Sequence, residues 1–112
     1  MMENEVILKI IRDARDLISD ESRWTRGSFA RDRQGYYVQT KSPEAVCWCA
    51  VGALIKCIPP GYHEERVIQA FQAAVPGHKS ITYINDERGH AATLETFDAV
   101  ILKLEARDEG SY

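Results

Sequence analysis

Three segments of the chain repeat apolar residues every three or four positions with charged residues between them. This spacing predicts amphipathic helices over residues 4–19, over residues 62–74, and from Thr93 to near Arg107. Each helix has one apolar face and therefore needs a core to pack against. The residues after Arg107, 108–112, are expected to fray.

A fourth segment, residues 43–57, is apolar on nearly every side, which is typical of a buried helix. Ser42 followed by Pro43 has the pattern of an N-cap with proline at the first helical position, and Pro59-Pro60-Gly61 prevents continuation. We expect this helix to pack against the other three. Its small residues would form a stripe that lets a neighbouring helix approach closely: Ala45, Cys49, Gly52 and Ala53.

The remaining segments have β-strand and turn signals. Residues 24–41 predict an ordered loop with a small strand or hairpin, and residues 80–84 alternate as a short strand before a turn at 85–89. The predicted fold is mainly α: a single-domain bundle of about four helices around a buried central helix, with one or two short β-strands. We expect residues 1–112 to form one globular domain.

Composition and length restrict the class of protein. The 112 residues are 45% hydrophobic and 28% charged, as in an ordinary globular domain. No secretory signal is recognisable, and the longest apolar run, residues 45–55, is shorter than the roughly 20 residues that cross a bilayer. Three cysteines in such a chain predict reduced thiols. We therefore expect a soluble cytoplasmic protein.

The charge is unevenly distributed: the net charge is −3, yet residues 23–41 carry five basic and one acidic side chain. Arginines here alternate with Trp24 and Phe29, which predicts a surface for a protein partner with acidic groups. The candidate partner-binding residues are Trp24, Arg26, Arg31 and Arg33. Two alternatives are single-stranded nucleic-acid binding and a structural loop whose aromatics enter the core and whose arginines pair with the acidic helices.

The cysteines allow a catalytic hypothesis. Cys49 with His90 and Asp86 has the residue types of a cysteine-dependent hydrolase or transferase. A thiol is activated by a helix dipole only in the first turn. If Ser42 caps the helix, Cys47 and Cys49 lie one to two turns inside it, so packing roles are favoured for both, and for Cys57.

Zinc binding is disfavoured by helical geometry. Residues two apart on a helix diverge by roughly 200°, so Cys47 and Cys49 would not both reach one ion together with His63 and His78. No glycine-rich phosphate loop or paired-carboxylate motif is present. We predict neither a metal nor a cofactor.

Three short blocks together resemble an uncharacterised family of small bacterial and bacteriophage proteins, a domain of unknown function. The blocks are Trp24-Thr25-x-Gly27, Cys47-x-Cys49-Ala50-Val51-Gly52-Ala53-Leu54, and Asn85-Asp86 followed by Thr93. The resemblance implies an intracellular, phage- or prophage-associated setting and lends no catalytic residues.

The favoured hypothesis is a small non-enzymatic protein-binding or regulatory protein that acts through the loop from Trp24 to Arg33. The first alternative is the cysteine-dependent enzyme with Cys49, His90 and Asp86. The second is the single-stranded nucleic-acid binder. No membrane association is expected.

Overall fold

The computed structural model describes residues 2–109, and the mainly helical fold is confirmed. Its helices are α1 (Met2–Leu17), α2 (Ala50–Cys57), α3 (Glu64–Ala74), α4 (Ile81–Tyr83) and α5 (His90–Glu109), and its strands are β1 (Ala30–Arg31) and β2 (Cys47–Trp48). Of the tail predicted to fray, residues 110–112 lie outside the described residues.

The amphipathic helix predicted over residues 4–19 is confirmed as α1. It packs against α2, α3 and α5. Its buried face contains Ile7, Leu8, Ile10, Ile11 and Ala14. On the exposed side, Arg15 Nε donates to Asp98 Oδ1 on α5 at 2.8 Å. Burial of the apolar face supplies most of the stability, because such a surface ion pair contributes only about 0–1 kcal/mol.

The loop between α1 and α2 contains the small strand that was predicted within residues 24–41. β1 pairs antiparallel with β2, with Ala30 opposite Trp48 and Arg31 opposite Cys47. Thr25 N also donates to Trp48 O at 3.0 Å. The loop is therefore held on both sides of β2.

The start predicted for the central helix at residue 43 is wrong. α2 begins at Ala50, while residues 47–48 form β2. Ser42 instead closes a local turn, in which its hydroxyl accepts from Glu44 N at 3.1 Å. A continuous apolar run suits a buried strand as well as a buried helix, so the pattern alone did not separate them.

The short strand predicted over residues 80–84 is also wrong. Ser80 Oγ accepts from Tyr83 N at 3.3 Å and caps α4, which continues into a π-helical turn over Ile84–Arg88. Ile81 and Ile84 are buried while Thr82 and Tyr83 are exposed. This i, i+3 burial is helical, whereas an alternating strand would place Ile81 and Tyr83 on one face and Ile84 on the other.

The last two long helices close the core. α3 and α5 bring Phe71 and Phe97 together with ring centroids 4.7 Å apart, and both rings are fully buried. α5 starts at His90, three residues before the predicted Thr93, whose hydroxyl donates to Gly89 O at 2.8 Å. Within residues 2–109, every helix is too short or too polar to cross a membrane.

Candidate functional site

The three sequence blocks meet at one buried side chain, that of Asn85, which is only 1% exposed. Its Oδ1 accepts from Trp24 Nε1 at 2.7 Å and from Ala50 N at 3.0 Å. Its Nδ2 donates to Thr25 O at 3.1 Å and to Asp86 Oδ1 at 3.0 Å. All four hydrogen-bonding positions of the amide are used.

The orientation of this amide follows from its partners. Trp24 Nε1 and Ala50 N can only donate, so the oxygen faces them, and Thr25 O can only accept, so the nitrogen faces it. Asn85 thus joins the loop after α1, the start of α2 and the turn after α4. It acts as a structural clasp between distant parts of the chain.

Asp86 continues the clasp toward the surface. Its Oδ1 also accepts from Gly27 N at 3.2 Å, where the backbone turns with a positive φ of 80°. Glycine adopts such a φ without steric cost. The Asp86 carboxylate therefore holds the loop at Gly27 against the turn that contains Asp86.

Cys49 is the N-cap of α2, a correction of its expected place one to two turns inside the helix. Its Sγ accepts from Gly52 N at 3.3 Å. Burial raises the pKa of the Cys49 thiol, the N–H groups of Gly52 and Val51 oppose this rise, and the Asp86 carboxylate adds to it. The helix start is present, but burial outweighs its effect and the thiol stays protonated at neutral pH.

Gly52 permits the close approach of a backbone segment rather than of a helix. A Cβ at this position would lie 2.0 Å from Phe29 O and 2.8 Å from Phe29 C. The same carbonyl accepts from Cys49 N at 3.2 Å. The stripe of small residues predicted on the central helix is therefore replaced by a contact between the first turn of α2 and the residue before β1. Ala45, the first member of that stripe, lies outside α2.

An open pocket of about 420 Å³ lies beside the clasp. Its volume is within the range of roughly 300–1,000 Å³ that is usual for ligand sites. Its walls combine loop, helix-start and turn residues: Gly27, Ser28, Phe29, Tyr37, Cys49, Val51, Thr82, Asn85 and Asp86. The two rings are largely accessible, since Phe29 is 47% and Tyr37 60% exposed.

The structure brings two of the three candidate catalytic residues to this pocket. Cys49 and Asp86 line it, but His90 does not. The His90 Nε2 atom is 2.6 Å from Ile18 O and donates to it, and the imidazole packs on the Trp24 ring with centroids 5.4 Å apart. These contacts hold the ring against the segment that follows α1 rather than against the thiol.

The candidate partner-binding residues divide into internal and exposed groups. Trp24 is tied to Asn85, and Arg31 donates to Thr25 Oγ1, Gly35 O and Arg26 O. Arg26 and Arg33 are exposed, with the Arg26 guanidinium 5.1 Å from the centre of the Trp24 ring. Half of the predicted set is therefore accessible to a partner.

The cysteines and histidines weighed for zinc binding lie in separate segments of the fold. Cys47 lies in β2, and its Sγ contacts Arg31 O at 3.9 Å. His63 precedes α3 and His78 follows it. Within the side chains that the structure describes, those of residues 3–107, histidine, cysteine and acidic groups do not gather in sets of three or more that would suit a metal ion.

Sequence reasoning missed Phe29 and Tyr37 as pocket residues and Asn85 as the clasp. It placed Asn85 and Asp86 in a turn over residues 85–89, where such side chains usually accept from nearby backbone N–H groups. They do accept such bonds, but from Ala50 and Gly27, far away in the chain. The sequence signal that could have pointed to this site was the presence of all three blocks, because Trp24, Ala50 and Asn85 each belong to one of them.

Comparison with known proteins agrees with the resemblance. A protein-family model described as a family of unknown function (DUF6197) matches residues 2–103. No curated protein matches the chain, and no solved structure does. The prediction of an uncharacterised family is thereby confirmed.

Proposed function

Because the chain belongs to this family of unknown function, DUF6197, we propose a function from the site alone. The protein is a non-enzymatic binding protein that engages a protein partner through the pocket and the exposed aromatic rings around it. We call these rings the aromatic surface: Phe29, Tyr36, Tyr37 and Tyr83.

The distribution of exposed apolar side chains carries this proposal. Among residues 3–107, whose side chains the structure describes, the large exposed ones are Val6, Phe29, Tyr36, Tyr37, Val46, Tyr83 and Leu102. All the aromatic ones lie in the segments that build the pocket, either lining it or next to a lining residue. Tyrosine and phenylalanine are enriched at the cores of protein interfaces, where they bury much area.

Two exposed arginines support the expected acidic character of the partner. Arg26 and Arg33 belong to the same loop as three of the rings. Rim charges of this kind steer association with an oppositely charged partner more than they add affinity. We infer that acidic groups of the partner face these two side chains.

The cellular setting is part of the proposal. The described cysteines, Cys47, Cys49 and Cys57, are all free thiols, which suits a reducing cytoplasm. The phage or prophage setting rests on the resemblance alone. Presence of the gene within prophage segments would support it.

The cysteine-dependent enzyme is the second candidate, because Cys49 is a helix N-cap that faces a pocket with Asp86. Two observations count against the enzyme. The pKa of the Cys49 thiol is raised, and His90 donates to Ile18 O instead of lining the pocket. Alkylation at neutral pH separates the two candidates. We expect slow modification of Cys49, whereas labelling faster than a free thiol that slows in His90→Ala would favour the enzyme.

The nucleic-acid alternative has less support, because Arg31 is used inside the loop. If single-strand affinity exists, it must fall by roughly 0.7 log units per log unit of salt for each phosphate contacted. Absent or salt-insensitive binding would remove this alternative.

The binding proposal is tested by truncating the aromatic surface. Tyr37→Ala and Phe29→Ala, tagged and expressed in the native cell, should lose proteins that co-purify with the wild type, as should the pair Arg26→Glu and Arg33→Glu. Leu102→Ala is the matched control, since Leu102 is exposed on α5 away from the pocket residues. Quantitative mass spectrometry gives the readout, with circular dichroism to show that each variant folds. An unchanged set of captured proteins in the folded aromatic variants would contradict the proposal.

A further inference from the structure

Three backbone donors at or beside the pocket are already used within the protein. Gly27 N donates to Asp86 Oδ1, Ala50 N to Asn85 Oδ1, and Gly52 N to Cys49 Sγ. Anions bind at helix starts because free N–H groups point at them. With these donors occupied, the start of α2 has little to offer a phosphate or a carboxylate.

The pocket does offer an acceptor with a negative charge. Asp86 lines it and is half-buried, and both described hydrogen bonds to its carboxylate fall on Oδ1. An ionised carboxylate has about four acceptor positions, so Oδ2 keeps its own. Across residues 2–109, no lysine, arginine or histidine forms an ion pair with Asp86.

Two arginines lie near this carboxylate, since a Cβ on Gly27 would be 3.5 Å from Arg31 Nη2 and one on Gly89 would be 3.7 Å from Arg26 Nη2. Both are engaged with other groups. Arg31 donates to three oxygens of its own loop, and the Arg26 guanidinium lies over Trp24. The charge of Asp86 is therefore held in place by hydrogen bonds and is not neutralised by an ion pair. A group that brings a positive charge and N–H donors complements it.

The pocket walls favour the same class of ligand. Phe29 and Tyr37 present accessible aromatic rings, and the faces of such rings attract cations. The rings also suit the carbon chain that carries the cationic group, as lysine and arginine stems cover apolar surface. The charge of Asp86, its free acceptor positions and the aromatic walls thus all favour a cationic group on a carbon chain.

We propose that the pocket binds a basic side chain of the protein partner, a lysine or an arginine, with its ammonium or guanidinium group on Asp86. This inference rests on the proposed function and names its anchor. We assign the cation to a partner rather than to a free amine because two further exposed rings, Tyr36 and Tyr83, are next in the chain to lining residues and do not line the pocket themselves. Acidic groups elsewhere on the same partner would face Arg26 and Arg33.

The test is an NMR titration of the ¹⁵N-labelled chain with small capped amino acids. The cationic probes are Nα-acetyl-lysine and Nα-acetyl-arginine methylamides. Their neutral counterparts are the norleucine and citrulline derivatives, and a glutamate derivative supplies the opposite charge. The backbone amides of Gly27, Val51 and Thr82 line the pocket and report its occupancy. We expect the cationic probes to shift these amides at far lower concentration than the neutral ones.

Asp86→Asn separates charge from shape, because the amide oxygen can still accept from Gly27 N. Affinity for the cationic probes should fall at least about tenfold, since a hydrogen bond to a charged group is roughly twice as strong as a neutral one. Glu87→Gln is the matched control: it removes the same charge from the next residue, which is exposed and does not line the pocket. The affinity of this variant for the cationic probes should stay within about twofold of that of the wild type.

Each other outcome overturns a defined part of this inference. Equal binding of norleucine and lysine derivatives, unchanged in Asp86→Asn, would reject the cationic ligand while leaving a binding pocket. Tighter binding of spermidine than of the lysine derivative would assign the site to free polyamines. No shift at high millimolar probe concentration would reject the anchor, and the proposed function would then fail only if the aromatic variants also kept every co-purifying protein.

Discussion

At the scale of single residues, Asn85 combines almost complete burial with four hydrogen bonds. Its amide offers two acceptor and two donor positions in one plane, and all of them are bonded to groups from three segments. Aspartate would keep the acceptors but lose both donors, and alanine would lose everything. A buried polar network of this kind is stabilising only when it is complete.

Replacing Asn85 with alanine should lower the free energy of unfolding by at least about 2 kcal/mol. Trp24 Nε1 and Ala50 N lose their acceptor, and each buried orphan donor costs roughly 1–3 kcal/mol. Denaturant unfolding followed by circular dichroism measures this loss. Asn4→Ala is the control, since half-buried Asn4 makes one long hydrogen bond, 3.4 Å to Leu104 O. An equal decrease in the free energy of unfolding in the two variants would show that the hydrogen bonds of Asn85 stabilise the fold no more than that of Asn4.

At the scale of elements, the junction between β2 and α2 determines the site. Ending the strand at Trp48 makes Cys49 the helix cap and brings the first turn of α2 against Phe29. A helix that began at residue 43, as the sequence pattern predicted, would bury the thiol in a continuous helix. The pocket therefore depends on the change from strand to helix at one residue.

Gly52→Ala tests this junction, because the variant is stabilised if the helix is open at this position and destabilised if Phe29 lies against it. In an open helix the change would stabilise by about 1 kcal/mol, because alanine is the better helix former. Here the new methyl group would overlap the Phe29 carbonyl, and the neighbouring atoms are backbone that moves only at a cost. We expect a loss of about 1–3 kcal/mol or more in thermal or denaturant unfolding. A stabilised variant would contradict the close approach.

The sequence predicted elements well where periodicity is long, and poorly where elements are short. The helix over 4–19 and the one beginning near Thr93 were predicted from apolar residues that recur every three or four positions over several turns. Such a pattern fits a helix and does not fit a strand. Short apolar runs such as 43–49 and 80–84 suit strand and helix alike, so tertiary contacts decide between them. The site was harder still, because Trp24 and Asn85 are 61 residues apart and no local rule links them.

At the scale of the whole molecule, packing of α1 on α2, α3 and α5 holds the fold, and the thiols make that fold sensitive to high pH. Burial raises the pKa of Cys57 from its ordinary 9.0 to about 11. Between these values the unfolded chain releases the proton while the folded chain keeps it. The contribution of Cys57 to folding stability is therefore fully present below pH 9 and is lost as the pH rises toward 11.

Cys57→Ala should flatten part of this decline. The measurement is the midpoint of denaturant unfolding for wild type and variant across the same pH series. We expect the two curves to run parallel below pH 9 and to converge or cross between pH 9 and 11. Burial also raises the pKa of Cys49, so some decline should persist in the variant. Curves that stay parallel up to pH 11 would mean that the Cys57 thiol ionises as readily in the folded chain as in the unfolded one.

The clasp also orders events during synthesis. Chains grow from the N-terminus, so α1, β1, β2 and α2 are complete while residue 85 is still to be added. Until then the indole N–H of Trp24 and the amide of Ala50 lack the oxygen that they share in the folded protein. A nascent chain halted before Asn85 contains every aromatic residue of the loop but lacks Asn85 and Asp86, two of the residues that line the pocket. Binding through this pocket, as proposed, would therefore require completion of the fold.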